Sequence, residues 1–274
     1  MILETLKDTP PWEWPEGADK MFLEILHDKK ADESERLLAA ELAGDFTVIN
    51  DEIADALLAI ACKADEPEDL RSRAVISLGP ALESADMDEF EDPDFVPITE
   101  RTFSKTQRTL RKLYVDGGVP KEVRRCILEA SVRAPQDWHQ DAVRAAYFSD
   151  DEDWKLTAVF CMRFIRGFNE QIIESLESEN PDIHYEAVCA AGNWEIDAAW
   201  SHVTRLLASA ETDKWLLFAA IDAAASIRPR EAPEILVDLT ESEDEDIVEA
   251  AYEAMNMAEA ITGEDWDDDD EFID

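Results

Sequence analysis

The stretch Glu68-Asp69-Leu70-Arg71-Ser72-Arg73-Ala74-Val75-Ile76-Ser77-Leu78-Gly79 decides the fold. Leu70, Ala74, Val75 and Leu78 recur at the spacing that places them along one face of a helix, while acids open the stretch and a glycine closes it. The same cassette returns about every thirty residues. It reads Glu122-Val123-Arg124, Asp153-Trp154-Lys155 running to Ala158, Asp182-Ile183-His184 running to Ala187, and Asp246-Ile247-Val248 running to Ala251. Such a period predicts stacked helical units, each burying its apolar face against its neighbours.

Working outward, the chain reads as paired helices. Met21, Phe22, Ile25 and Leu26 form one apolar stripe, and after the start signal Asp32-Glu33-Ser34 the residues Leu37, Leu38 and Leu42 form the next, with Gly44 as its stop. A further pair runs through Ile53 to Ala61 and Leu70 to Leu78, ending at Gly79-Pro80. Residues 83–97 break the period: Asp86 to Asp94 holds six acids, and Pro93 and Pro97 close it, which predicts an inserted acidic loop. Helical pairs then resume from residue 99 to about residue 260. The organisation expected is an N-terminal capping segment over 1–17, a repeat array over 18–260 and an acidic tail over 261–274.

Composition sets bounds on partners. The chain has 274 residues, with 66 acidic against 25 basic, for a net charge of -41. That field repels nucleic acid and anionic lipid, and draws in cationic partners; it serves solubility or salt adaptation equally well. Residues 1–14 have no basic stretch followed by an apolar one, and no run reaches membrane-spanning length, so a cytoplasmic protein is expected. Cys62, Cys126, Cys161 and Cys189 are widely spaced within apolar runs, which predicts buried free thiols.

The cassettes resemble HEAT repeats, specifically the short version of the phycobilisome-lyase-like group, whose D-x-x-V-R-x-x-A-x-x-A-L-G pattern is close to residues 68–79. The resemblance spans roughly residues 18–258. It implies an all-α, right-handed α-solenoid of about seven stacked pairs that grips partners along its second helices. It also implies that the acidic turn residue caps the second helix and that the base one turn in ladders with acids of adjacent repeats. That base is Arg36, Arg71, Arg124 and Lys155, then His184, and is lost around Trp215 and at Val248. Some lyase-type relatives attach or detach bilins, but nothing in this chain matches such chemistry.

Two features stand out as candidate contacts. Residues 98–133 carry nine bases against four acids, a cationic island in an anionic chain. Arg101, Lys105, Arg108 and Lys112 fall at steps of four, three and four and so share a helix face, with Arg124 and Arg125 following. This stripe is either an anion site for a partner or is covered by the acidic loop or tail. Trp12 and Trp14, among Pro10, Pro11 and Pro15, are either an aromatic contact for another protein or a lid on the first helical pair. Histidines 27, 139, 184 and 202 are scattered without metal-ligand spacing, and there is no phosphate-cradling loop. The expectation is a non-enzymatic interaction scaffold without cofactor or metal, receiving a basic protein segment. The alternatives are a bilin-lyase-like enzyme, or an acidic inhibitor masking a basic toxin or nucleic-acid-binding protein.

Overall fold

The computed structural model describes residues 2–87 and 97–264, and within them the chain is helical with no strand. Most of the acidic insertion and of the acidic tail lies outside the described residues. The chain divides into two compact units, Met1–Val143 and Arg144–Asp274.

In the first unit the helices are α1 (Ile2–Lys7), α2 (Ala18–His27), α3 (Glu33–Leu42), α4 (Asp51–Cys62), α5 (Glu68–Ile76), α6 (Gly79–Met87), α7 (Glu100–Val115) and α8 (Lys121–Ser131). The first members of each pair, α2, α4 and α7, pack in one row, and the second members, α3, α5 and α8, pack in another. Phe22, Leu26, Ile53, Leu57, Leu70, Leu78, Leu82 and Leu110 are fully buried between the rows. Each such side chain contributes about 1.5–3 kcal/mol by leaving water. Leu3 and Leu6 of α1 join this core, and the Trp14 ring meets Phe22 edge-on at 5.5 Å.

Helix α9 (Asp137–Tyr147) holds the boundary between the units. The second unit continues with α10 (Glu152–Cys161), α11 (Asn169–Ser175), α12 (Pro181–Asn193), α13 (Trp200–Ala208), α14 (Lys214–Ile227), α15 (Ala232–Leu236) and α16 (Glu245–Glu264). Here α10, α12, α14 and α16 form the row of second helices, with α11, α13 and α15 packed behind α12, α14 and α16. Helices α12 and α14 approach closely at Gly192, where an added Cβ would lie 3.0 Å from Cα of Ala223.

The helices start for identifiable reasons. Asp32, Asn50, Asp151, Asn180 and Asp213 each accept a hydrogen bond from a free amide of the first turn. This corrects the expected cap positions. The cassette acids Asp69, Asp153, Asp182 and Asp246 lie inside the first turn, where they face the positive end of the helix dipole, and the cap falls earlier.

Three other expectations change. Gly79-Pro80 opens α6 instead of ending a helix, since proline is accommodated where the amides lack partners anyway. Residues 83–87, expected as the start of the loop, complete α6, whose Leu82 and Ala85 are buried. Cys62 is exposed because it is the last residue of α4, beyond the buried stretch; Cys126 and Cys161 are buried and all four are free thiols.

Candidate interaction surface

The second-helix row of the Arg144–Asp274 unit exposes one continuous set of side chains. On α14, Trp215, Phe218 and Asp222 follow at helical steps, with Trp215 71% exposed and meeting Phe218 edge-on. On α16, Tyr252 is 53% exposed and precedes Glu253. On α12 the matching residues are Tyr185, Glu186 and Cys189, and Arg163 after α10 reaches Glu186 at 3.1 Å. The surface therefore combines aromatic rings with carboxylates.

Its charges are unequally satisfied. Glu186 has Arg163, but neither Asp222 nor Glu253 has an ion-pair partner among the described residues. Partial burial, and then the neighbouring Glu253 carboxylate, push the Asp222 carboxyl above its ordinary range. The same face holds Cys189, whose thiol burial pushes up, with Glu186 and then Asp222 adding to the effect against Arg163 and Tyr185. Neighbouring carboxylates on a surface that also exposes aromatic rings attract a cation.

The ladder of bases is real but differently built from the expected one. Arg36 donates to both oxygens of Glu66, and its Nη2 also reaches the Leu26 carbonyl at 3.2 Å. Arg71 donates to the Ala61 carbonyl at 3.0 Å, so both arginines close the C-terminal end of the preceding helix. The position is not lost at Trp215. Lys214, one residue earlier, binds Asp244 and Asp246 at 2.7 Å each. A one-residue shift at the helix start leaves the same reach, because the lysine stem is long and flexible.

The cationic stripe of the first unit is exposed at Arg101, Lys105, Arg108 and Lys112, with Leu110 buried on the opposite face. Lys105 is neutralised by Asp55 of α4 at 2.6 Å, and Arg108 turns back to the Ser104 carbonyl. Arg124 and Arg125 do not share this exposure. Both are half-buried, Arg124 lying over the Tyr114 ring and Arg125 bound to Glu122 at 2.7 Å. Trp14 is fixed by its Nε1 donating to the carbonyls of Leu6 and Thr9, whereas Trp12 is 79% exposed. Trp12 rims a groove of 460 Å³ formed by residues 11–12, 14–19 and 47–50.

Two histidine arrangements escaped sequence reasoning because their members are far apart in sequence or hidden. His184 and His202, eighteen residues apart, face each other with Nε2 atoms 2.7 Å apart. Nδ1 of His202 lies 3.2 Å from Glu177 and 3.0 Å from Arg205. Burial and then His202 hold His184 below the usual imidazole range. His139 is buried, and its Nδ1 accepts from the Gln136 amide at 2.8 Å. Its Nε2–H therefore donates to Ser131, 2.9 Å away, whose hydroxyl donates to the Ile127 carbonyl. In this polarity the imidazole cannot take a proton from Ser131, so the pair is a structural link. Among the described residues no group of three or more His, Cys, Asp or Glu side chains could hold a metal ion, and no helix is long and apolar enough to cross a membrane.

Residues 169–256 match the family described as HEAT repeats. No curated protein matches the chain. Similar solved structures include human deoxyhypusine hydroxylase, 15% identical over 94% of this chain and 88% of that one, with a TM-score of 0.40. An engineered protein is 17% identical over 93% of this chain and 70% of its own, with a TM-score of 0.45. A computationally designed armadillo repeat protein for modular peptide recognition is 15% identical over 86% and 98%, with a TM-score of 0.33.

Proposed function

We propose that this protein is a non-catalytic binding scaffold whose second-helix face, on α12, α14 and α16, receives a basic polypeptide segment. What supports the reading is the face itself: Asp222 and Glu253, two neighbouring carboxylates without an ion-pair partner among the described residues, on helices that also expose Trp215 and Tyr252. An arginine or lysine side chain entering there relieves the repulsion, and its stem packs on the rings. The net charge of -41 steers such a segment toward the chain. The protein works in a reducing compartment, the cytoplasm, where its four free thiols persist.

The test is titration of a labelled arginine-rich peptide, followed by fluorescence anisotropy. Trp215→Ala and Asp222→Asn should each weaken binding by about fivefold or more, and raising salt should weaken it steeply. Asp238→Asn, an exposed acid away from this face, is the control for a mere charge effect. Equal losses at Asp222 and Asp238, or affinity indifferent to salt, would refute the reading.

A further inference from the structure

Consecutive helical pairs of the second unit are tied by two histidines. His184 lies in the first turn of α12 and His202 in the first turn of α13, and their Nε2 atoms face each other at 2.7 Å. Helix α12 packs on α14, and α13 packs on α14 and α15, so the imidazoles add a side-chain tie from α13 to α12. At this distance a single hydrogen lies between the two nitrogens, one Nε2–H donating and the other Nε2 accepting. Arg205, one turn further along α13, donates from Nη2 to Nδ1 of His202 at 3.0 Å, so in the neutral pair His202 carries its hydrogen on Nε2 and donates to His184. The same Nη2 reaches Glu177, in the turn after α11, at 3.2 Å. Among the described residues no charged side chain of α10, α14, α15 or residues 197–199, which also pack on these helices, bonds to either ring.

Each added proton has a different place to go. The first is accommodated at Nδ1 of His202, whose N–H then donates to the Glu177 carboxylate 3.2 Å away, while Arg205 keeps its own bond to Glu177. The contact between the rings survives, now as a charge-assisted bond from an imidazolium to a neutral imidazole. The second proton has only Nε2 of His184, the atom that accepts this bond. Taking it sets two N–H groups and two positive charges face to face across 2.7 Å, and the rings must part. Burial, and then His202, hold His184 below the usual imidazole range, so the contact is complete above about 6.5 and is lost as pH falls through the folded value. We propose that His184 and His202 form an acid-released latch, closed in the neutral and singly protonated pair and opened by the second proton, which undoes the tie between α13 and α12 while the packing of α12 on α14 persists.

The experiment follows the full chain, labelled at its histidine ring nitrogens, by NMR from about pH 8 to about pH 5. Two separate steps are expected for the pair, about one pH unit or more apart. His202→Gln should move the His184 step upward, since it removes the neighbouring positive charge and its amide oxygen can accept from a protonated His184. Glu177→Gln, on a side chain that is 71% exposed and so leaves the fold intact, should move the first step downward. Hydrogen exchange, corrected for its intrinsic pH dependence, should quicken about tenfold in α13 after the second step and stay unchanged in α14, and His202→Gln should abolish this response. Coincident steps, steps that stay in place in either variant, exchange in α13 indifferent to acid, an acid response kept in His202→Gln, or α14 loosening together with α13 overturns the proposal.

Discussion

Arg36 in α3 donates through Nη1 and Nη2 to the two carboxylate oxygens of Glu66, at 2.6 and 3.2 Å, and both side chains are buried. Glu66 stands just before α5, so the bond ties one helical pair to the next. Its hydrogen bond to Arg36 holds the Glu66 carboxyl below the ordinary range. Because the folded value is depressed, the stabilisation is complete above the unfolded value of about 4.3 and is lost as pH falls through the folded value. Arg36→Met should cost about 3–5 kcal/mol, since it leaves a buried carboxylate unpaired, and Arg36→Met with Glu66→Leu should recover most of the loss. Urea denaturation of the single and double variants measures this. A double variant no more stable than the single one contradicts the desolvation argument.

His139 acts over a higher pH range. Burial lowers its folded value to about 4 from an ordinary 6.5. The unfolded chain therefore binds the proton first, and stability should fall as pH drops from 6.5 toward 4, by roughly 3 kcal/mol in total. His139→Gln should start less stable at pH 7 but show a flatter profile across that window. The Trp138 ring lies 3.9 Å from the imidazole, so its fluorescence reports the unfolding locally. A profile as steep in the variant as in the parent would assign the acid sensitivity to other groups.

The Asp222–Glu253 pair should oppose stability to binding. Asp222→Asn removes a repulsion on a partly exposed surface and should raise stability by a few tenths of a kcal/mol, well screened by solvent. The same change should weaken the arginine-rich peptide. Thermal melts beside binding titrations check the two signs together, and a destabilised variant would mean that Asp222 supports the fold.

The helical pairs were legible because apolar residues at helical spacing, such as Leu70, Ala74 and Val75, follow from local periodicity, and because Asp32 and Gly44 are punctuation that one sequence displays. Lys214 was harder to see, since its role depends on reaching Asp244 and Asp246 in the next pair. The facing of His184 and His202, and the influence of Glu253 on Asp222, arise only when consecutive helices stack, so no local pattern carries them. The exposed row of Arg101, Lys105, Arg108 and Lys112 was legible, but its partial neutralisation by Asp55 of α4 was not.

Gly44 shows how the stacking constrains a residue that local reading takes only for a helix stop. A Cβ added there would lie 2.7 Å from both Cβ and the carbonyl oxygen of Ser77 and 2.9 Å from its Cα. Ser77 follows α5 as Gly44 follows α3, so the glycine lets the ends of two adjacent second helices approach. The obstacle is backbone, which cannot rotate away as a flexible side chain can. Gly44→Ala should therefore destabilise the first unit by about 1–3 kcal/mol, the range for overpacking a well-filled contact. Gly117→Ala is the matched control, since nothing lies within 4 Å of its added Cβ. Denaturation midpoints for the two variants decide the matter: equal effects would mean that chain entropy, common to both substitutions, outweighs the close approach at Ser77.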